Sequence, residues 1–376
     1  MNTRRLANIF HLGIKELRSL RRDPLMLFFI VFAFSAAIYS AASVSTDLHK
    51  APIAVVDEDR SQLSGEIVNA FLAPYFKTPE LIGMSEADAG MDRGSYSFVV
   101  DIPPGFQRDV LAGRRPAIQV NVDATQASQA FIGAGYIQNI VTAEIARFAL
   151  RQHAGAGPAV DLAQRMRFNP NRDSKWFSAV MELINNITML AIVLTGAALI
   201  REREHGTIEH LLSMPLSPFE IMAGKVWASG LVVLVAATIS LKTVVQGLLA
   251  VPVAGSVPLF LLGAMLHLFA MTSMGIFLGT VARSMPQLGL LVILVVLPLE
   301  VLSGGMTPRE SMPDVVRYLM LLAPTTHFVS FAQAILYRSA GLDVVWPQLL
   351  TIAAIGGALF AGALARFRKT VTGMQA

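Results

Sequence analysis

The residues best suited to form a contact surface lie in the segment 201–215. Charged and apolar side chains alternate there, between breaks at a glycine and a proline. Gly206 is expected to end one helix, Thr207 has the side chain of an N-cap, and Glu209 would lie in the first turn of a new helix, where a carboxylate suits the helix dipole. The candidate residues are Glu204, Gly206, Thr207, Ile208, Glu209, Leu211, Leu212 and Pro215. A short helix with one apolar face, bounded by rigid breaks, predicts an element that transmits force to the segments it joins.

Covalent chemistry is not indicated in this chain. The sequence has no cysteine, which excludes disulfides, thiolate metal sites and cysteine nucleophiles. It has no phosphate loop, since Gly224 and Lys225 follow Phe219 where that motif needs a glycine, and the motifs H-E-x-x-H and G-x-S-x-G are absent. His205 and His210 are five residues apart and would not share a helix face as a metal pair does. We predict no enzyme activity, metal or cofactor on this chain.

The elements that position these residues are predicted to be membrane helices. Of the 376 residues, 54% are hydrophobic and only 15% are charged, whereas soluble domains carry about 25% charged residues. The apolar residues form runs of about twenty, the length that crosses a bilayer as a helix. The predicted spans are 25–45, 176–200, 226–250, 258–282, 287–303 and 344–365. The basic residues mostly flank these runs and do not form a stripe interleaved with aromatic residues, so nucleic acid is not an expected partner.

The distribution of basic residues predicts the orientation. The short segments on the side of the two termini contain 13 lysines and arginines, and the opposite short loops contain three. Because cytoplasmic loops hold the excess of basic residues, both termini are expected to be cytoplasmic. Residues 1–24 predict a basic amphipathic helix in the membrane interface, ended by Asp23 and Pro24. The first span is interpreted as an uncleaved anchor, although the small residues at its end leave a signal peptide as the alternative.

A long insertion separates the first two spans. Within 46–175, the segments 53–57, 97–102 and 117–122 are rich in β-branched residues and predict strands, while 63–73, 105–112 and 128–150 predict helices. Alternating strands and helices predict a small α/β domain. Its acidic triplet, Asp57-Glu58-Asp59, is explained by a strand end and a helix cap at Ser61, and a metal site is the weaker alternative. The predicted fold is a membrane all-α bundle of six transmembrane helices with an inserted α/β periplasmic domain between spans one and two.

The sequence resembles the type-2 ABC exporter permeases over nearly its whole length. The strongest likeness is to their cytoplasmic coupling loop, in the pattern Glu204-x-Gly206-Thr207-x-Glu209-x-Leu211-x-x-x-Pro215 followed by Gly224-Lys225. Further likenesses, in family order, are Lys15-Glu16 with Arg22-Asp23-Pro24, Ala54-Val55-Val56-Asp57 with Asp59-Arg60-Ser61, Ile102-Pro103 with Gly105-Phe106, Asn169-Pro170 with Trp176-Phe177, Leu302-Ser303-Gly304 with Pro308 and Met312-Pro313, and Pro324-Thr325-Thr326-His327-Phe328. One departure is Gln333, where many members carry an arginine, so no role of that arginine is transferred.

The resemblance implies an organisation and a set of partners. The parts would be an interfacial helix (1–24), the first span (25–45), a periplasmic domain (46–175), a five-span domain (176–365) with coupling loop 201–225 and an outer re-entrant-type segment 304–343, and a cytoplasmic tail (366–376). The chain would be the permease subunit of an exporter in a bacterial inner membrane, moving a drug-like, lipid-like or other amphiphile. ATP and Mg²⁺ would be bound by a separate ATPase subunit, and a second permease chain, membrane lipid and a periplasmic adaptor are the other expected partners.

Two other functions are compatible with a membrane chain of this kind. A proton-coupled secondary exporter would need carboxylates deep in several spans and usually paired repeats, and neither pattern is visible. A membrane-anchored periplasmic scaffold or enzyme would need a reactive constellation within 46–175, and the sequence has none there. For the ABC permease, exposed Glu204 and Glu209 would meet basic or backbone donors on the ATPase, and Ile208 and Leu211 would provide apolar contact.

Three carboxylate or ammonium side chains lie within predicted spans, where charges are costly and often functional. Counted along ideal helices, Glu182, Lys242 and Glu300 all fall in the outer half of the membrane. Lys242 is predicted to pair with Glu300 or Glu182, and the alternative is that its side chain extends outward to the interface. Asn185 and Asn186, near Glu182, are expected to form hydrogen bonds between helices. His267 is interpreted as a packing residue rather than a proton relay.

Overall fold

The computed structural model describes residues 3–43, 48, 50–123, 127–152, 174–206 and 215–375. The chain divides into two compact units, one formed by residues 1–43 and 167–376 and the other by residues 44–166. Each unit has its own hydrophobic core.

The chain begins with two helical segments that meet at a proline. Helix α1 (Thr3–Arg21) is followed by α2 (Pro24–Phe32), a π-helical turn (Ala33–Ala37) and α3 (Ile38–Ser43). Asp23 is the N-cap of α2, and its Oδ1 accepts a hydrogen bond from the backbone N–H of Met26 at 3.1 Å. Proline at the first helical position costs no hydrogen bond, so the predicted break at Asp23 and Pro24 is confirmed.

The second unit contains a four-stranded sheet. Its elements are β1 (Ile53–Asp57), α4 (Gln62–Ala70), β2 (Glu80–Leu81), α5 (Met84–Asp92), β3 (Phe98–Ile102), α6 (Phe106–Leu111), β4 (Gln119–Val122) and α7 (Ala127–Gln152). The strand order is β2-β1-β3-β4, with β1 parallel to both of its neighbours and β3 antiparallel to β4. The three strands and three helices predicted from the sequence are confirmed to within a few residues. The two-residue strand β2 and helix α5 were not predicted, because neither segment has a clear apolar period.

The remaining helices belong to the first unit. They are α8 (Ser174–Glu204), α9 (Pro218–Ser240) continued by a π-helix (Leu241–Leu248), α10 (Val257–Val281), α11 (Met285–Val301), α12 (Asp314–Leu319), α13 (Pro324–Leu336) and α14 (Leu342–Gln375). Short 3-10 turns at Arg309–Ser311 and Met320–Leu322 flank α12. Helices α8 and α10 form the centre of the bundle, since most of their residues are buried, whereas α11 and α14 expose long apolar faces.

Five helices of the described residues are long and apolar enough to cross a membrane. They are Pro24–Ser43, Lys175–Glu204, Pro218–Leu248, Val257–Val281 and Leu342–Thr370. The predicted span 287–303 forms the apolar helix α11, which has only 17 residues. A sixth crossing is obtained if Asp314–Leu322 and Pro324–Leu336, which are bent by 87°, count as one broken span. The predicted number of six spans therefore stays a prediction, and the bent helix pair within 304–343 is also compatible with the predicted re-entrant-type segment.

Candidate coupling site

Helix α1 packs closely against the first turns of α9. A Cβ atom at Gly13 would lie 2.0 Å from the ring of Trp227, so only glycine allows the ring to approach this closely. The Nε1–H of Trp227 donates to the backbone carbonyl of Ile9 at 3.0 Å. Gly224 makes the reciprocal approach, since a Cβ there would lie 2.8 Å from Cβ of Leu12. These contacts fix the predicted interfacial helix against the start of α9.

Four charged side chains, Lys15, Glu16, Glu202 and Lys225, meet at this junction and are called here the charged cluster. The Lys225 ammonium group donates to Glu16 Oε1 at 2.8 Å and forms an ion pair with Glu202 Oε2 at 2.8 Å. Lys15 contacts the same two carboxylates and lies 3.3 Å from Glu16 Oε1. The side chain of Lys225 is 3% exposed, whereas that of Lys15 is 46% exposed. The charged cluster therefore joins α1, the end of α8 and the start of α9.

The charged cluster also determines the ionisation of Glu16. Burial favours the protonated form of this carboxyl, but the ammonium groups of Lys225 and Lys15 outweigh burial and hold its pKa below the usual value. Glu16 therefore stays ionised at neutral pH and keeps both lysines in place. Buried charges persist when partners of opposite sign satisfy them in this way.

Beyond the charged cluster, the end of α8 contacts three further elements. Arg201 forms an ion pair with Asp23, the cap of α2. Arg203 Nη1 donates to the carbonyls of Gly279 at 3.3 Å and Ala282 at 2.9 Å, which end α10. Glu204 Oε1 accepts the backbone N–H of Met285 at 3.1 Å, at the start of α11. A cation at a helix C-terminus and an anion at an N-terminus both complement the helix dipoles.

This arrangement revises the interpretation of Glu204. The side chain is exposed, as predicted, but one of its carboxylate oxygens already caps α11 inside the chain. The predicted contact of Glu204 with a partner protein therefore stays a prediction. Such a contact would compete with the hydrogen bond from the backbone N–H of Met285. The sequence did not suggest this role, because Glu204 and Met285 are 81 positions apart.

Both boundaries of the predicted coupling element are observed. Helix α8 ends at Glu204, and Gly206 follows with a φ of 67°, a left-handed conformation that favours glycine. Before α9, Ser217 and Glu220 form a capping box: Ser217 N–H donates to Glu220 Oε2 at 2.7 Å, and Glu220 N–H donates to Ser217 Oγ at 3.4 Å. Asn8 of α1 donates to Glu220 Oε1 at 3.0 Å.

The centre of the element is outside the described residues. Thr207, Ile208, Glu209, Leu211 and Leu212 fall there, so the predicted two-faced helix stays a prediction. Pro215, the last candidate residue, is exposed and lies two residues before the N-cap Ser217.

Among the intramembrane charges, the predicted ion pair of Lys242 is not formed. Lys242 is exposed and makes no ion pair with Glu182, Glu300 or any other carboxylate of the described residues. The prediction assumed an ideal α-helix, but Lys242 lies in the π-helix Leu241–Leu248, which changes the direction of its side chain. The alternative from the sequence, a lysine extending outward to the interface, stays a prediction.

Asn186 forms the hydrogen bond between helices that its position suggested. Its Nδ2 donates to the backbone carbonyl of Ala33 at 2.9 Å and to Glu182 Oε1 at 3.2 Å. Ala33 begins the π-helical turn after α2, where α-helical hydrogen bonding is interrupted. The amide of Asn186 thus connects α8 to the first span at this π turn. Glu182 and Glu300 are both half-buried.

His267 has the packing role assigned to it. Its ring is fully buried, stacks on Phe328 with centroids 4.2 Å apart, and shares a hydrogen bond of 2.9 Å with Thr188 Oγ1.

Two residues of the acidic triplet of the α/β unit, Asp57 and Asp59, accept hydrogen bonds at the turn after β1. Asp57 Oδ1 accepts the backbone N–H groups of Asp59 and Arg60 at 3.1 and 2.9 Å, and its Oδ2 accepts the Ser64 hydroxyl at 2.8 Å. Asp59 Oδ2 accepts the backbone N–H of Gln107 at 3.0 Å. The predicted helix cap at this turn is confirmed, with Ser61 as N-cap of α4.

Sequence reasoning missed the charged cluster. Lys225 begins an otherwise apolar run, and Glu16 lies on the less polar side of an amphipathic helix. An ionisable residue among apolar neighbours signals a buried partner. That signal was available for Lys225, but it does not say which carboxylates are the partners.

Several long apolar helices, joined at one end by a cluster of charges and helix caps, make this chain a multi-pass membrane protein. A family profile described as "ABC-2 family transporter protein" matches residues 25–365. The chain is 64% identical over 369 residues to the "Inner membrane transport permease YhhJ" of Escherichia coli K12, covering 98% of this chain and 99% of that protein. It is 29% identical over 369 residues to the "Probable multidrug ABC transporter permease YbhR" of the same organism, covering 95% and 97%.

The chain therefore belongs to the ABC-2 family of transporter proteins. Members of this family are transport permease subunits and not enzymes, in agreement with the prediction from the sequence.

Proposed function

We propose that this chain is the membrane-spanning subunit of an ATP-driven exporter, which moves a drug-like, lipid-like or other amphiphile outward across the inner membrane. A separate ATP-binding subunit would supply the energy, with ATP and Mg²⁺ bound there. The family assignment and the relatives named as multidrug permeases support this function. The observation that carries the mechanism is the charged cluster, because it joins the two ends of segment 201–225 to α1.

The charged cluster connects the two ends of segment 201–225, so that they are expected to move together. Glu202 and Lys225 lie near its two ends and form an ion pair at 2.8 Å, which holds those two ends together. A displacement of its centre by the ATPase would move α8 and α9 together. Arg203 and Glu204 would extend that movement to α10 and α11 through the helix ends they cap.

The remaining partners and the placement in the membrane complete the proposal. The working unit would contain two permease chains and two ATPases, with both termini in the cytoplasm. The α/β unit would lie in the periplasm, where a membrane-fusion adaptor could dock and receive the substrate. Proton-coupled export is the alternative, and it would proceed without any ATPase.

The first test changes the centre of the segment 201–225. Glu209→Lys and Leu211→Asp are expected to leave membrane insertion intact but to weaken both ATPase binding and transport, because one removes a contact charge and the other an apolar anchor. The measurements are ATPase co-purification and substrate-stimulated ATP hydrolysis. Glu310→Lys is the matched control, since Glu310 is an exposed carboxylate in segment 304–343, on the proposed opposite side of the membrane. Parent-like binding and transport by both test variants would refute the assignment.

The second test concerns orientation. Thr78 and Lys369 are both exposed, one in the α/β unit and the other in α14, and the chain has no natural cysteine. In intact spheroplasts, Thr78→Cys is expected to react with a membrane-impermeant thiol reagent, and Lys369→Cys is expected to react only after lysis. The reverse pattern would show that the proposed orientation is inverted.

A further inference from the structure

A polar cavity of about 530 Å³ opens beside the charged cluster, where α1 ends, α2 begins and α8 ends. Its charged and ionisable walls include Lys15, Arg22, Asp23, Arg201, Glu202 and His205. The volume lies within the range of sites that bind small molecules in proteins. The cavity is open to one side, so a ligand could enter without a change in the bundle.

The charged side chains at the cavity, counted together with Lys225 behind its wall, leave one positive charge without a carboxylate partner. The Arg201 and Asp23 side chains neutralise each other. The charged cluster contains two lysines and two carboxylates and is also neutral as a group. Arg22 is exposed and has no ion pair with any carboxylate of the described residues. A guanidinium group without a partner, beside an open cavity, favours an anionic ligand, and its planar fork of donors suits a phosphate.

The position of the cavity indicates which phosphate compound would reach it. Pro24 forms part of its wall, and the next residues of α2 are apolar and project outward, with Leu25 75% and Phe28 67% exposed. The cavity therefore lies at the level where the apolar surface of the first span begins, which is the level of lipid headgroups. A phospholipid would place its phosphate in the cavity and its acyl chains along the apolar surface of α2.

We propose that this cavity binds the headgroup of an anionic phospholipid, with Arg22 as the residue that contacts the phosphate. The proposal depends on the chain being a membrane protein and not on ATP-driven transport. A lipid bound there contacts α1, α2 and α8 at once, so it would stabilise the junction from which the segment 201–225 begins.

The test is lipid binding to the purified full-length permease in detergent, followed by native mass spectrometry. The probes are phosphatidylglycerol, phosphatidylcholine and inorganic phosphate. Phosphatidylglycerol is expected to remain bound in preference to phosphatidylcholine, and inorganic phosphate is not expected to displace it. Arg22→Gln should weaken phosphatidylglycerol binding about fivefold, the effect of one basic residue near an anionic lipid surface. Arg22→Lys should retain part of the binding, because the positive charge remains.

Arg18→Gln is the matched control, since Arg18 is exposed in the last turn of α1, four residues before Arg22, carries the same charge and does not line the cavity. It should change phosphatidylglycerol binding less than twofold. Equal losses in Arg22→Gln and Arg18→Gln would show a diffuse attraction between basic residues and lipid, and would overturn the site. Equal binding of the two lipids would also overturn it. Displacement by inorganic phosphate would assign the cavity to a soluble anion instead of a lipid.

Discussion

Replacing Lys225 by methionine is expected to destabilise the membrane bundle by about 3–5 kcal/mol, the usual cost of removing one partner from a buried ion pair. Lys225 is 3% exposed and contacts both Glu16 and Glu202 at 2.8 Å. Without its ammonium group, two largely buried carboxylates would share only Lys15, which lies at the surface. The free energy of unfolding, measured by SDS titration in mixed micelles, would report the loss.

Two companion variants make this expectation specific. Lys15→Met removes the same charge from the same cluster, but its side chain is 46% exposed, so a cost below about 1 kcal/mol is expected. The triple variant Lys225→Met with Glu16→Gln and Glu202→Gln removes the unpaired charges and should recover much of the lost stability. A loss no greater for Lys225→Met than for Lys15→Met would mean that the charged cluster does not hold α1, α8 and α9 together.

The secondary structure of this chain could be predicted because its patterns are local. Apolar runs of about twenty residues indicated the long helices, and the β-branched segments 53–57, 97–102 and 117–122 became β1, β3 and β4. The strand β2 could not be found in this way, because two exposed residues carry no alternation. The strand β2 forms because it pairs in parallel with β1, and this pairing is a tertiary interaction.

The boundaries of the coupling element were also predictable, since Gly206 and the capping box at Ser217 act within a few residues. The charged cluster was not predictable, because its pairs join residues separated by 187 and 209 positions. The motifs Lys15-Glu16 and Gly224-Lys225 each contributed to the family resemblance. A single sequence does not show, however, that these two motifs are in contact. Sequence spacing along a helix determines which residues share a face, but it does not determine which helix that face meets.

The error at Lys242 has a different physical origin. The depth of an intramembrane residue can be counted along a helix, and that count placed Lys242 near two carboxylates. The direction of its side chain depends on the helical phase, which the π-helix Leu241–Leu248 changes. The segment Leu241–Leu248 contains no proline that would indicate a change of helix geometry. The count along the helix therefore did not predict the direction of the side chain, on which pairing depends.

Close packing between α8 and α10 is a second feature that holds the bundle together, and it leads to the remaining prediction. The two helices cross at Gly196, Gly275 and Gly279, and the last two form a G-x-x-x-G pair. A Cβ at Gly275 would lie 2.1 Å from Thr195 Oγ1 and 2.5 Å from the carbonyl oxygen of Ile192. Small residues allow this approach in membranes, where helix association relies on close packing.

Gly275→Leu is expected to force α8 and α10 apart, because the backbone carbonyl of Ile192 cannot rotate away as a side chain could. Overpacking of this kind costs about 1–3 kcal/mol and occasionally more, and a rigid backbone obstacle favours the upper end. Gly357→Leu is the matched control, since Gly357 is exposed within α14 and a Cβ there meets no atom within 4 Å. In the same SDS titration, Gly275→Leu should lose stability and Gly357→Leu should retain it. Equal stability of the two variants would mean that the α8–α10 crossing is loose enough to admit a side chain, and that the central contact of the bundle lies elsewhere.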